Sequence, residues 1–323
     1  MNEKRRAILA LGIVIAGVRT IDALAAEQNP DFNRGVVQAN GLRFHFLEMG
    51  EGPLALCLHG FPDSPWTYRY LLPELAKAGY RAVAPFSRGY APTEVPSDGR
   101  YSTGTLVADV NALHEALGGN ANAVLIAHDW GAAAAYGALA AAPQRWRRAA
   151  IGNVPPFPVF GQIAFSYEQI KRSFYFWFFQ MGLADAIVGG NDLAFIDGLW
   201  RDWSPGYDAT YDLARAKECL RDPANLAAAL GYYRTFFNPT VFGSPAWAEE
   251  QTAALGKPPT QPVLYLHGTN DGCIALSDEA AKSVQGFLGP DSEVEKIRGV
   301  GHFLLVERSR KINERILRFL GKA

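Results

Sequence analysis

The stretch NAVLIAHDWGAAAAYGALAAA, residues 122–142, restricts the fold of this chain more than any other. A short apolar run stops at Asp129, and an alanine-rich segment with high helix propensity follows at once. Continuous apolar character over so few residues suits a strand buried on both faces, and such strands belong to parallel sheets. Three further runs share it: PLALCLHG (53–60), YRAVAPF (80–86) and PVLYLHG (262–268). Helical periodicity lies between them. Leu106, Val110, Leu113 and Leu117 recur on one face before Gly118-Gly119, and Ile312, Ile316, Phe319 and Leu320 do so near the end. The alternation predicts an α/β fold with a mostly parallel central sheet flanked by helices.

The alternation fails between about residues 155 and 262, where SFYFWFFQ (173–180) and several helical fragments occur without a buried-strand run. The expected organisation is therefore a core in two segments, 27–156 and 251–323, divided by an inserted helical cap over 157–250. Residues 1–26 read as an export signal. Lys4, Arg5 and Arg6 precede an apolar run over 7–18, and Ala23-Leu24-Ala25 has the form of a cleavage site. Arg5-Arg6 fits a loose twin-arginine pattern. A periplasmic or secreted location is expected on that reading, and a cytoplasmic one if the segment is not a working signal. The run is too short for a comfortable membrane span.

With 49% hydrophobic and 20% charged residues and a formal charge of -1, the chain has the composition of a globular enzyme and no sign of a nucleic-acid partner. Cys57, Cys219 and Cys273 are too few for a disulfide framework, and none has a partner at metal-ligand spacing along the chain. No glycine-rich phosphate loop occurs. Neither a metal nor another cofactor is expected. The sequence does not give the oligomeric state.

Asp129 is flanked by Ala127, Gly131 and Ala132, the small residues that a sharp strand-to-helix elbow demands. Aspartate there has an ordinary explanation as a helix N-cap. Two later residues give it another. Asp271 sits in the loop after the fourth apolar run, and His302 sits in the loop GVGHF before the last helix. Nucleophile, acid and histidine then follow in chain order, with His302 able to orient on Asp271 and act as a base. Upstream, HGFPDS (59–64) lies where the backbone N–H of Phe61 can join that of Trp130 as an oxyanion hole. His59 itself is expected to be structural.

HGFP, RGY (88–90), AHDWGA, the loop Asp271 and GHF resemble the epoxide hydrolases of the α/β-hydrolase fold, from about Val36 to the C-terminus. The related haloalkane dehalogenases share the Asp-Trp turn. The resemblance implies two tyrosines that hold the epoxide oxygen. RSFYFWFFQ supplies Tyr175 and GYYRTF supplies Tyr233, with Tyr232 the weaker choice because the register rests on the Tyr-Arg pair. Aromatic-rich helices are commonly core, so both tyrosines also have a packing explanation.

An aspartate nucleophile suits a saturated carbon bearing a leaving group. The carboxylate forms an alkyl ester with the protein, and water activated by His302 then attacks that ester. An epoxide opens to an alkoxide, which two phenols can assist. A halide needs N–H donors, and Phe61 stands where dehalogenases of this kind commonly place Asn. Trp130 stands where fluoroacetate dehalogenases carry Arg. The expected reaction is the opening of a small lipophilic epoxide to a vicinal diol. Haloalkane dehalogenation is the alternative, and a non-catalytic binder on the same scaffold is the third reading.

Overall fold

The computed structural model describes residues 31–323, so the export signal expected at the N-terminus lies outside the described residues. The core is an eight-stranded sheet: β1 (Asn33–Ala39), β2 (Leu42–Met49), β3 (Leu54–Leu58), β4 (Arg81–Pro85), β5 (Val124–His128), β6 (Arg148–Gly152), β7 (Val263–Gly268) and β8 (Glu293–Ile297). Their spatial order is β1-β2-β4-β3-β5-β6-β7-β8. The first two strands form an antiparallel hairpin, β2 pairs antiparallel with β4, and every later pairing is parallel. The hairpin turns on Asn40-Gly41, both at positive φ (42° and 79°), as a two-residue turn between twisted strands requires.

Strands β3, β5 and β7 are buried along their whole length, which is why they read as unbroken apolar runs. Helices cover them: α1 (Leu71–Lys77), α2 (Thr103–Ala116) and α3 (Trp130–Ala141). Ser102 caps α2 by accepting from the Thr105 N–H. Sequence order reverses between the neighbours β3 and β5, and in open α/β sheets the crevice at such a switch point, beyond the carboxyl ends of the strands, is where ligands bind.

Between β6 and β7 the described chain is helical: α4 (Phe157–Ile163), α5 (Tyr167–Arg172), α6 (Phe174–Phe178), α7 (Ala184–Trp203), α8 (Thr210–Leu220), α9 (Pro223–Phe236) and α10 (Pro245–Leu255). The sheet is completed after α10, with α11 (Asp278–Phe287), α12 (Leu304–Glu307) and α13 (Ser309–Leu320) following. Polar bonds tie this insertion to the core. Arg69 pairs with Asp212 of α8, both buried; the Trp200 indole donates to the Pro62 carbonyl (2.8 Å), and Asn225 donates to that of Gly89 (2.7 Å). Within α7, residues 191–193 take left-handed φ of 49°, 52° and 60°, which breaks the helix in its middle. Among the described residues no helix is long and apolar enough to cross a membrane.

Candidate active site

Asp129 follows the last residue of β5 and stands at the N-cap position of α3 with φ 54°, ψ -123°, but its side chain makes no cap bond to the helix. A non-glycine residue held there stores strain on the order of 1–3 kcal/mol. The surroundings show why its neighbours are small. A Cβ on Gly60 would stand 2.2 Å from Asp129 Oδ1 and 2.5 Å from the Trp130 nitrogen, and one on Gly131 would stand 2.4 Å from the Leu58 carbonyl oxygen. Two loops are therefore pressed together at the switch point, with the side chain of Asp129 between them. The Phe61 N–H donates to Asp129 Oδ1 at 2.7 Å. Trp130 opens α3, so its backbone nitrogen faces the same small space.

His302 is fully buried and faces a carboxylate on each side. Its Nδ1 lies 3.1 Å and 3.2 Å from the two oxygens of Asp271, and its Nε2 lies 3.6 Å from Asp129 Oδ2. The second distance is too long for a hydrogen bond, and Nε2 has no other partner. Burial alone would lower the pKa of this imidazole, but the charge of Asp271, with Asp129 on the other side, outweighs it and pushes it up to about 10. Asp271 shows the converse. Burial would raise it, yet His302, His267 and the Asn153 side chain hold it down at about 2. Its Oδ1 also accepts from the N–H groups of Cys273 (2.7 Å) and Ile274 (3.0 Å).

Several supporting residues are not evident in the sequence. Asn153, left-handed at φ 66° just after β6, donates to Asp271 Oδ2 at 2.7 Å. His267 sits between the Tyr265 hydroxyl (2.8 Å from Nδ1) and the Ile274 carbonyl (3.1 Å from Nε2), and burial lowers its pKa. His128 pairs its Nε2 with the carbonyl oxygen of His302 at 2.9 Å. The end of α7 reaches in from the insertion, where the Trp203 carbonyl accepts from both His302 N (2.9 Å) and Gly272 N (3.0 Å). One helix end thus holds the histidine loop and the acid loop. The contacts of Asn153, His128 and Trp203 join residues far apart in the chain, so local sequence gives no signal for them.

An apolar cavity opens in front of Asp129, lined by Trp130, Tyr175 and Tyr233 among others. Burial pushes both phenols well above the usual tyrosine range, so they stay protonated. Their rings meet edge to face, centroids 5.4 Å apart. Tyr232 points elsewhere and donates to the Arg88 carbonyl at 2.8 Å. Tyr136 also reaches the cavity, but its hydroxyl is engaged with the Val154 carbonyl. His59 binds the Gly60 carbonyl through Nδ1 and accepts from the Ser87 N–H through Nε2.

Cys273 has no metal-ligand partner along the sequence, but in space its Sγ lies with a carboxylate oxygen of Asp129 and a ring nitrogen of His302, all within 4.8 Å of one another. The fold brings three distant loops to one point, which linear spacing cannot reveal. The Tyr175 hydroxyl is 3.4 Å from this sulfur, and burial raises the thiol pKa, so it is neutral.

Residues 53–309 match the family model for the alpha/beta hydrolase fold. The chain is 30% identical to an epoxide hydrolase of Caballeronia sordidicola, over 88% of this chain and 92% of that protein. It is 32% identical to epoxide hydrolase A of Mycobacterium tuberculosis, over 88% and 96% respectively. Among solved structures it is similar to an epoxide hydrolase from Vigna radiata, with a TM-score of 0.76 and 27% identity over 90% of this chain and 98% of that one. Sheet order, elbow and likeness along nearly the whole length agree, and the chain belongs to the epoxide hydrolase family of the α/β-hydrolase fold.

Proposed function

We propose that this chain hydrolyses lipophilic epoxides to vicinal diols through an ester on Asp129. The observation that carries the reading is the facing of two unlike surfaces. A carboxylate at a strained elbow has a histidine at one oxygen and a backbone N–H at the other, and it looks into an apolar cavity that holds two protonated phenols.

In the first step an oxygen of Asp129 bonds to a ring carbon and the carbon–oxygen bond of the epoxide breaks. The electron pair goes to the ring oxygen, which takes a proton from Tyr175 or Tyr233. Acid assistance of this kind contributes roughly 10²–10⁴-fold. The new ester has no charge. Esterification therefore removes one of the two carboxylates that hold the proton on His302; the imidazolium passes that proton on to the phenolate, and the neutral imidazole is free to act as a base. In the second step water gives His302 a proton and attacks the ester carbonyl. The N–H of Phe61, with that of Trp130, stabilises the resulting oxyanion. On collapse the hydroxyl proton of the intermediate goes to the departing alkoxide, which releases the diol and the Asp129 carboxylate, and His302 keeps the proton taken from water.

The cavity lining favours an alkoxide over a halide as leaving group. It contains the phenols of Tyr175 and Tyr233 but one indole, that of Trp130, whereas a halide calls for paired N–H donors. Purified protein offered a panel of aryl and alkyl epoxides beside haloalkanes tests the reading. Diol without halide is the expected result. Halide release with intact epoxides would contradict it.

A further inference from the structure

Cys273 takes no part in the reaction above, yet the fold sets its thiol among the reacting groups. It is buried and lines the catalytic cavity together with Asp129. Its sulfur, a carboxylate oxygen of Asp129 and a ring nitrogen of His302 lie within 4.8 Å of one another. His302 Nε2 is buried without a hydrogen-bond partner and stands 3.6 Å from Asp129 Oδ2. Bonds of about 2.0–2.3 Å put two donors on one tetrahedral zinc ion roughly 3.3–3.8 Å apart, so this pair already has the spacing. The sulfur has to close by at most about 1 Å to join them. Asp271 supports the ring from behind. Its carboxylate takes Nδ1 and turns Nε2 toward Asp129, as outer carboxylates orient the histidines of zinc sites.

The geometry points to a thiophilic divalent-metal site made of Asp129, Cys273 and His302, at which zinc or cadmium shuts the enzyme off. Thiolate and imidazole select such ions over magnesium and calcium, which need more oxygen ligands than one carboxylate supplies. Binding releases one proton from the His302 imidazolium and one from the Cys273 thiol, and it brings in two positive charges, so the buried charge does not change. Water takes the fourth position. The bound ion occupies both the oxygen that would attack the epoxide and the nitrogen that would activate water. The site itself stands on geometry; its effect on turnover rests on the reaction proposed above.

Cadmium chloride alone is the probe, added at fixed pH to wild type, Cys273→Ser and Cys273→Ala. Two readings are taken: the ultraviolet charge-transfer absorption of a cadmium–thiolate bond, and inhibition of epoxide turnover. Wild type should gain the absorption with one ion per chain and lose turnover competitively with the epoxide, and a chelator should restore it. Both variants should keep basal turnover, lack the absorption and need at least roughly 10²-fold more cadmium for the same inhibition. Two variants are used so that one misfolded protein leaves the other to decide. Cys57 and Cys219 are buried and do not line the cavity, so absorption that persists in the variants would report those thiols and overturn the inference. Equal inhibition of wild type and a folded variant, or equal inhibition by magnesium, would overturn it too. If no epoxide is turned over, the proposed function falls while the absorption still decides the site.

Discussion

The carboxyl edge of the sheet and the inner face of the helical insertion meet at one cavity but are built on opposite rules. On the sheet edge, charge is concentrated and each charged group is held in place. Asp271 accepts from two backbone N–H groups, Asn153 and His302, and Asp129 is fixed at a strained elbow against the Phe61 N–H. On the insertion side the cavity wall is aromatic, and Tyr175 and Tyr233 supply its polar atoms. On the proposed route, bond making belongs to the sheet edge and selection of the substrate to the rings opposite. The two regions touch at the end of α7, where the Trp203 carbonyl and Ser204 hold the loops of Asp271 and His302.

Removing a group from the sheet edge should stop the reaction at a defined stage. His302→Gln leaves Asp129 able to form the ester but slows its hydrolysis, lowering turnover by roughly 10³–10⁴-fold. Intact-protein mass spectrometry should show one substrate mass added, and no addition in Asp129→Ala. A smaller loss is expected on the insertion side. Tyr233→Phe should slow ester formation by roughly 10²-fold and leave ester hydrolysis nearly unchanged. Equal slowing of both steps in single-turnover kinetics would mean damaged packing, and the contrast between the regions would fail.

The same contrast extends to pH. His302 is raised in the folded state to about 10, so its contribution to stability is full below pH 6.5 and is lost as pH rises through about 10. The buried phenols are raised from a higher starting value, so their effect falls outside most of that window. Denaturant titrations should show a decline from pH 7 to 10 in wild type that flattens in His302→Gln. The smallest effect concerns the junction. Ser204 Oγ donates to Glu307 Oε1 at 2.6 Å and accepts from the Phe303 N–H at 3.0 Å. Ser204→Ala should cost about 1–2 kcal/mol in thermal unfolding. No change would show that the insertion does not brace the histidine loop.

The sequence reveals these regions unequally, for physical reasons. Strands β3, β4, β5 and β7 are legible because burial on both faces leaves an unbroken apolar run. The edge strands are not: β8 reads EVEKI and is half-exposed, while β1 alternates exposed and partly buried residues. β6, RAAIG, is short and follows two arginines, which hides it. The Asn40-Gly41 turn was a usable hairpin signal. At the site, Asp129, Asp271 and His302 carry local marks, an elbow of small residues and two loops in order. Asn153, His128 and Trp203 act through contacts made by folding, which local sequence does not encode.

The central claim is that a carboxylate oxygen of Asp129 bonds to carbon and is later exchanged with solvent. A single turnover in heavy-oxygen water, followed by peptide mass spectrometry and analysis of the diol, tests it most directly. The account predicts label in the Asp129 side chain and none in the first diol released. Label in the diol with an unlabelled Asp129 would mean that water attacks the epoxide itself, and the ester route would be wrong.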